Sequence, residues 1–195
     1  GDAFVRELVQ NGHDAIRLRQ HREPRHAGRI EIEMRPAVRE LVFRDNGLGM
    51  TRREIRRFLS VIGDSGTGQA ATRLTELGAE AAQALIGHFG IGMLSAFLVA
   101  KSIEVRTRKL GARQGFLWEN DGSAQCLLRA DPVERFGTEI TLRVAPEYEQ
   151  ILDEAALRAA LVRYCDFIPD PIFLNGAGPV NTMQAPWHRA AWARA

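Results

Sequence analysis

The chain has 195 residues, 45% hydrophobic and 26% charged, with a net charge of +2. That is the composition of one ordinary domain with a real core, which excludes a disordered chain and gives no case from bulk charge for a nucleic-acid binder. The longest apolar stretch, Ile91 to Ala100, is interrupted by Gly92 and Ser95 and is about half a membrane span, and no signal peptide is visible.

Phe4, Leu8 and Ala15, with Val5, Val9 and Ile16, form one apolar face of a first helix. Glu7, Asn11 and Asp14 recur at i, i+4 and i+7 and form a polar stripe on the shoulder of that face, as befits the border of a cleft. The chain opens on Gly1-Asp2 and enters this helix almost at once, so a fragment of a longer protein is expected. Alternation then predicts two strands, one through Ile30, Ile32 and Met34 and one through Leu41 and Phe43 that runs into Asp45. Thr51-Arg52-Arg53-Glu54 is a capping box, so a helix starts just after Met50 and ends near Gly63. Residues 64–86 contain Gly66, Gly68 and Gly78 and read as a mobile segment with a short helix. Gly87 to Gly92 opens a helix through Ala100.

Four strands follow, roughly 102–108, 115–120, 124–129 and 138–144, with short turns between them that predict an antiparallel meander. Glu147 to Phe167 reads as one amphipathic helix, Ile172-Phe173-Leu174 as a last strand, and the Gly-, Pro- and Ala-rich tail from Asn175 as a linker. Strands grouped after two motif-bearing helices predict a two-layer α+β sandwich, its mixed, mainly antiparallel sheet covered by helices on one face. Cys126 and Cys165 lie far apart in no metal or redox spacing and are expected to be free core thiols in a reducing compartment. The basic residues are nearly all arginine; the only lysines are Lys101 and Lys109.

Three segments carry chemistry. A carboxylate at a strand end, Asp45, can accept from the exocyclic amine of a buried adenine, and the glycines of Asp45-Asn46-Gly47-Leu48-Gly49-Met50 let backbone approach the ring. Alone, that segment is better read as only a tight turn. Glu7 can orient or deprotonate a water attacking a terminal phosphate, and Asn11 can offer a neutral oxygen to magnesium. Taken alone, the pair is equally a solvated helix face. Gly87-His88-Phe89-Gly90-Ile91-Gly92 before a helix suits phosphate oxygens, or is simply a helix-capping loop. There is no G-x-x-x-x-G-K-[ST], so the site is not a P-loop. Arg52, Arg53, Arg56 and Arg57 read as a solvated helix face.

The conjunction resembles the ATP-binding domain of the heat-shock protein 90 (HtpG-type) chaperones, within the wider class of type II topoisomerases, MutL and histidine kinases. The resemblance runs from about Phe4 to Pro171. It rests on Arg6 to Asn11 with Asp14-Ala15, Asp45 to Thr51, Ser65-Gly66-Thr67, Ile86 to Gly92 with Ser95-Ala96, Gly137-Thr138, and Phe167-Ile168 before Pro171-Ile172. The stretch from His88 to Ala100 favours the chaperone branch. The resemblance implies the Bergerat (GHKL) fold, with residues 1–174 as an ATP-binding domain lacking the family's N-terminal strand and 175–195 as a linker toward a middle domain.

It further implies a role for each matching position. Glu7 would be the hydrolytic carboxylate and Asn11 the magnesium ligand. Asp14 would lie near the nucleotide, and Asp45 would hold the adenine amine with Gly49 and Thr138 nearby. Met50 would pack on the base, and Gly87, His88, Phe89, Gly90, Ile91 and Gly92 would wrap the phosphates. Residues 64–86, with Ser65, Gly66 and Thr67, would be the lid. ATP or ADP with magnesium would be bound and slowly hydrolysed. The full-length protein would be a homodimeric, cytoplasmic, bacterial-type chaperone acting on unfolded clients, with no nucleic-acid or membrane partner. The fragment alone is expected to be monomeric. Phe58 and Asp64 depart from the Asn and Lys common in the family, which bears on affinity and lid behaviour. The alternative is a MutL-like repair or signalling ATPase of the same fold; retained Glu7 argues against a binding module without turnover.

Overall fold

The computed structural model describes residues 3–57, 92–123 and 125–183. The proposed lid, with Phe58, Asp64, Ser65, Gly66 and Thr67, lies outside the described residues, as do Gly87 to Ile91 and residues 184–195.

Period-two alternation builds a seven-stranded sheet. Its strands are β1 (Ile30–Arg35), β2 (Glu40–Asp45), β3 (Ala100–Arg108), β4 (Gly115–Asn120), β5 (Cys126–Asp131), β6 (Gly137–Val144) and β7 (Ile172–Leu174), in the order β5-β4-β3-β6-β2-β1-β7. All neighbours are antiparallel except β1 and β7. Ile32, Phe43, Ile140, Val105 and Trp118 form one cross-strand row on the apolar face, all closed off from solvent or nearly so. Helix α1 (Ala3–Gln20) covers that face with Phe4, Val5, Leu8, Val9 and Ile16, and Phe4 meets Phe43 edge to face at 6.4 Å. Each such side chain contributes roughly 1.5–3 kcal/mol of transfer free energy. Helix α2 (Glu154–Cys165) adds Leu157, Leu161 and Cys165 to the same core. This is the expected two-layer α+β sandwich.

The opposite face is charged. Glu31, Glu33 and Arg35 on β1 alternate with the buried Ile30 and Ile32, and Arg44, Arg106 and Glu139 lie on the same outer side of their strands. Arg44 bonds both Glu33 and Glu139, and Arg106 bonds Glu104 and Asp131.

Five details differ from the sequence reading. The meander stops after β5, because β6 returns across the sheet to pair between β3 and β2. Ile140, Leu142 and Val144 of β6 are buried, whereas β5 is exposed along most of its length, so β6 takes the interior place and β5 the edge. Arg108 pins the crossover by donating to the carbonyls of Val133 and Glu134 at 3.2 and 3.1 Å and stacking on Phe136. On edge strand β5 Cys126 is exposed, so only Cys165 is a core thiol.

Gly92–Leu98 is a 3-10 helix rather than an α-helix. The single helix expected over 147–167 is two elements, a 3-10 turn at Pro146–Leu152 and then α2. Asp153 separates them, its carboxylate accepting from the Ala156 N–H at 2.7 Å as an N-cap. Residues 175–183 fold back onto the sheet. The Asn175 N–H donates to Ile32 O, Val180 N–H to Ile172 O, and buried Asn181 donates to the carbonyls of Ile168 and Asp170.

Candidate functional site

A cavity of about 560 Å³ lies between α1 and the end of the sheet, within the range of roughly 300–1,000 Å³ usual for small-molecule sites. Register assembles its floor: Ile30, Asp45, Thr138 and Thr107 stand side by side on β1, β2, β6 and β3. Asp45 is the last residue of β2, and the chain turns behind it through four tightly placed residues. A Cβ on Gly47 would lie 2.6 Å from the Ala15 backbone, and one on Gly49, at φ +66°, only 2.1 Å from the Arg108 carbonyl. The turn is stitched to both layers by Leu48 N–H to Ala15 O and Leu110 N–H to Leu48 O.

The Asp45 carboxylate accepts from the Gly47 N–H at 2.8 Å and from the Thr138 backbone N–H. Among the described residues no cation pairs with it. The residue keeps an edge on the cavity, but its carboxyl is packed round by protein, and this burial pushes its pKa up to about 7 against the pull of the two backbone donors. Gly12 of α1 faces it; a side chain there would press on the Asp45 Cβ at 3.3 Å.

Thr107, fully buried, organises the wall beside Asp45. Its hydroxyl donates to Gly137 O at 2.9 Å, accepts from the Met50 N–H at 3.0 Å, and lies 3.2 Å from the Thr138 hydroxyl. With its one hydrogen on Gly137, Thr107 can only accept from Thr138, which leaves the Thr138 oxygen as an acceptor toward the cavity. Met50 and Gly49 complete this end.

The α1 stripe divides. Asn11 and Asp14 are exposed and line the cavity. The Asp14 carboxylate accepts from Gln10 at 3.1 Å, while the Asn11 amide makes no hydrogen bond among the described residues. Glu7 lies one turn nearer the N-terminus, half-buried and paired with Arg6 at 2.8 Å, and is not among the described residues lining the cavity. No group of three or more His, Cys, Asp or Glu side chains placed to hold a metal ion occurs among the described residues. The exposed Asn11 amide oxygen on the cavity is a neutral donor of the kind a magnesium ion can take beside water and phosphate ligands. Of the glycine-rich segment only Gly92 is described, as the first residue of the 3-10 helix. Arg52, Arg53, Arg56 and Arg57 are exposed, as a solvated face requires.

The sequence reading passes over several residues that shape the site. Thr107 is one; its alternation with Ile103 and Val105 is the available signal. Lys109 and Glu54, paired at 2.6 Å on the cavity wall, are two more. His13, on the buried side of α1, bonds Asp170 through Nδ1 at 2.6 Å with both side chains nearly closed to solvent, tying α1 to the segment before β7.

A second cavity, about 570 Å³, opens on the charged face beneath Arg29, Arg44, Arg106 and the 132–136 crossover. Arg29, Arg44 and Arg106 are already bonded to Glu31, Glu33, Glu139, Glu104 and Asp131, which leaves exposed Arg135 as the lining arginine without a carboxylate partner among the described residues.

Residues 3–125 match the family described as histidine kinase-, DNA gyrase B-, and HSP90-like ATPase. The chain is similar to chaperone protein HtpG of Coxiella burnetii, 37% identical over 184 residues that cover 89% of the chain and 29% of that protein. It is likewise similar to chaperone protein HtpG of Salinispora tropica, 34% identical over 97% of the chain and 34% of that protein. With chaperone protein HtpG of Mycobacterium leprae the identity is 37% over 88% of the chain and 29% of that protein. The chain spans about a third of the length of these relatives.

Proposed function

The chain belongs to the histidine kinase-, DNA gyrase B- and HSP90-like ATPase family, and from that premise we propose that it is the ATP-binding and ATP-hydrolysing domain of an HtpG-type chaperone. The observation that carries the proposal is Asp45, a carboxylate with no cation partner among the described residues, set beside Thr138 and Met50 at the floor of a 560 Å³ cavity. An adenine amine gives that acceptor the donor it lacks. Thr138 accepts beside it and Met50 packs against the ring.

Asn11 would hold magnesium, whose charge offsets that of the phosphate oxygens. Glu7 would take a proton from the water that attacks the terminal phosphorus, as the new O–P bond forms and the bond to the ADP oxygen breaks. For that role Glu7 must exchange its Arg6 partner for the water. Residues 64–86 would serve as the lid, Gly87 to Gly92 as the phosphate loop, and the residues beyond 183 as the connection to a following domain. Work on unfolded clients by the full-length protein belongs to the same proposal and is supported by the name chaperone protein HtpG carried by the three relatives; a cytoplasmic homodimer is the form that the family resemblance implies for it.

Calorimetry with ADP and ATP in magnesium tests the reading. Binding between micromolar and millimolar, roughly −8 to −4 kcal/mol, is expected. Absence of both heat and thermal shift with either nucleotide rejects it. Glu7→Ala in the full-length protein is expected to keep ADP binding and lose turnover, because its contact forms only on the way to the transition state.

A further inference from the structure

Residues 103, 105 and 107 of β3 face the helix layer, and the same alternation brings Lys109, just past the strand, to the cavity wall. Its side chain is only 14% exposed and its ammonium lies 2.6 Å from Glu54 Oε1. Glu54 is itself fixed: its Oε2 accepts from the Thr51 N–H at 2.7 Å and from the Thr51 hydroxyl at 2.8 Å, the reciprocal half of the capping box. An ammonium has three donors, and among the described residues Glu54 takes one. Two N–H groups and a spare lone pair on Glu54 Oε1 therefore stand together on a wall that also contains Met50.

The pair carries almost no net charge, and this decides what it suits. A phosphate would meet the Glu54 carboxylate as closely as the Lys109 ammonium. A hydroxyl can accept from Lys109 and donate to Glu54 at once, and a vicinal diol can do so twice. Lys109 follows Thr107 by two residues, roughly 7 Å along the strand, and Thr107 is bonded to both Thr138 and Met50. The pair thus lies about one sugar ring beyond the place assigned to the base.

We propose that Lys109, held in place by Glu54, is a specificity residue that reads the ribose hydroxyls of the bound nucleotide. This rests on the nucleotide reading above. Sequence periodicity alone marks Lys109 as one of two lysines in an arginine-rich chain and gives it no role.

The test is calorimetric titration of the protein, Lys109→Met and Glu54→Gln with ADP, 2′-deoxy-ADP and 3′-deoxy-ADP. Glu54→Gln keeps an acceptor for the Thr51 cap. The unsubstituted protein is expected to favour ADP over at least one deoxy analogue by about tenfold or more, as loss of a hydrogen bond to a charged group predicts. Lys109→Met is expected to bring ADP down to that analogue's affinity and leave the analogue itself unmoved. Glu54→Gln is expected to shrink the same ratio at least twofold, and it carries the test if a thermal melt shows Lys109→Met unfolded. Equal binding of all three ligands by the unsubstituted protein overturns the proposal, as does equal weakening of all three in the variants, which marks the pair as a strut. No binding of any of them by the unsubstituted protein overturns the nucleotide reading itself.

Discussion

The two faces of the sheet carry cavities of nearly equal size, 560 and 570 Å³, which share Arg44, Asp45 and Thr138 at their boundary but differ in how their other polar groups are partnered. On the charged face Arg29, Arg44 and Arg106 each find a carboxylate, with exposed Arg135 outside these pairs, and hydrogen bonds from Arg35 and Arg44 pull Glu33 down to about 2. On the helix face Asp45 has only backbone donors, and burial drives it up to about 7. A ligand that engaged Arg29, Arg44 or Arg106 on the charged face would have to break existing pairs before making its own. On the helix face it supplies a donor to a group that lacks one. Unmet polar demand, rather than volume, distinguishes the binding site.

The largest effect that sharpens this contrast is expected at the turn shaping the inner cavity. Gly49→Ala places a methyl group against the Arg108 carbonyl, at 2.1 Å, and adds a positive φ. A loss of about 3 kcal/mol or more in urea unfolding is expected. Gly111→Ala is the control, because it has a similar φ of +77° but nothing within 4 Å. It is expected to cost about 1–2 kcal/mol, the strain of the left-handed conformation alone. Equal losses would mean that the close approach under Arg108 does not constrain the turn.

The next effect is on Asp45 itself. Asp45→Asn keeps the shape but can present a donor to the adenine amine, and a buried mismatch of this kind costs about 1–3 kcal/mol, or roughly five- to 150-fold in ADP affinity. The pH dependence gives the sign. With its folded pKa raised from 3.8 to about 7, Asp45 holds a proton in the folded state that it loses in the unfolded one. The Asp45 contribution to the stability of the nucleotide-free domain is therefore full below about pH 4 and is lost as pH rises toward about 7, a trend read as the difference from Asp45→Asn. Affinity runs the other way, since a charged acceptor is the better partner for the amine. Adenosine, which has no phosphate to titrate, is expected to bind up to about tenfold more tightly at pH 8 than at pH 6, and Asp45→Asn to flatten that slope. A slope that survives the substitution would assign it to another group.

How much of this was legible in sequence depends on the range of the interaction involved. The alternation of Leu41, Phe43 and Asp45 placed the carboxylate at a strand end on the apolar face, because the signal is local. Its neighbours Thr138 and Thr107 stand in the same row only because β6 inserts between β2 and β3, and strand order leaves no local trace; hence the meander was expected and Thr107 was overlooked. Cys126 was expected in the core for the same reason, since nothing local marks β5 as an edge. Asp153 divides a stretch that is apolar at helical spacing on both sides, so periodicity alone bridged it. Residues 175–183 read as a linker from their Gly and Pro content, yet they are held by side-chain amides such as Asn181, whose partners at Ile168 and Asp170 precede it by more than ten residues.

The smallest expected effect tests the charged face. Arg106 is 40% exposed and is shared among Glu104, Asp131 and Glu139, so Arg106→Gln is expected to cost less than about 1 kcal/mol, the range for pairs this open to solvent. Its signature lies in the pH dependence. Desolvation, with Glu119 and Glu139 nearby, already raises the Glu104 pKa, while Arg106 restrains it. Removing Arg106 lets it rise further, and a carboxyl raised in the folded state costs stability as pH rises through its unfolded value toward its folded one. The deficit of Arg106→Gln is therefore expected to be full at pH 8 and to vanish near pH 4, where Glu104 is protonated in folded and unfolded chains alike. Urea melts at the two pH values read the difference, and ADP titration of the same variant is expected to match the unsubstituted protein. If Arg106→Gln weakened ADP as much as Asp45→Asn does, the two faces would be coupled through β3 and β6, and the helix-face cavity could no longer be treated as a site independent of the charged one.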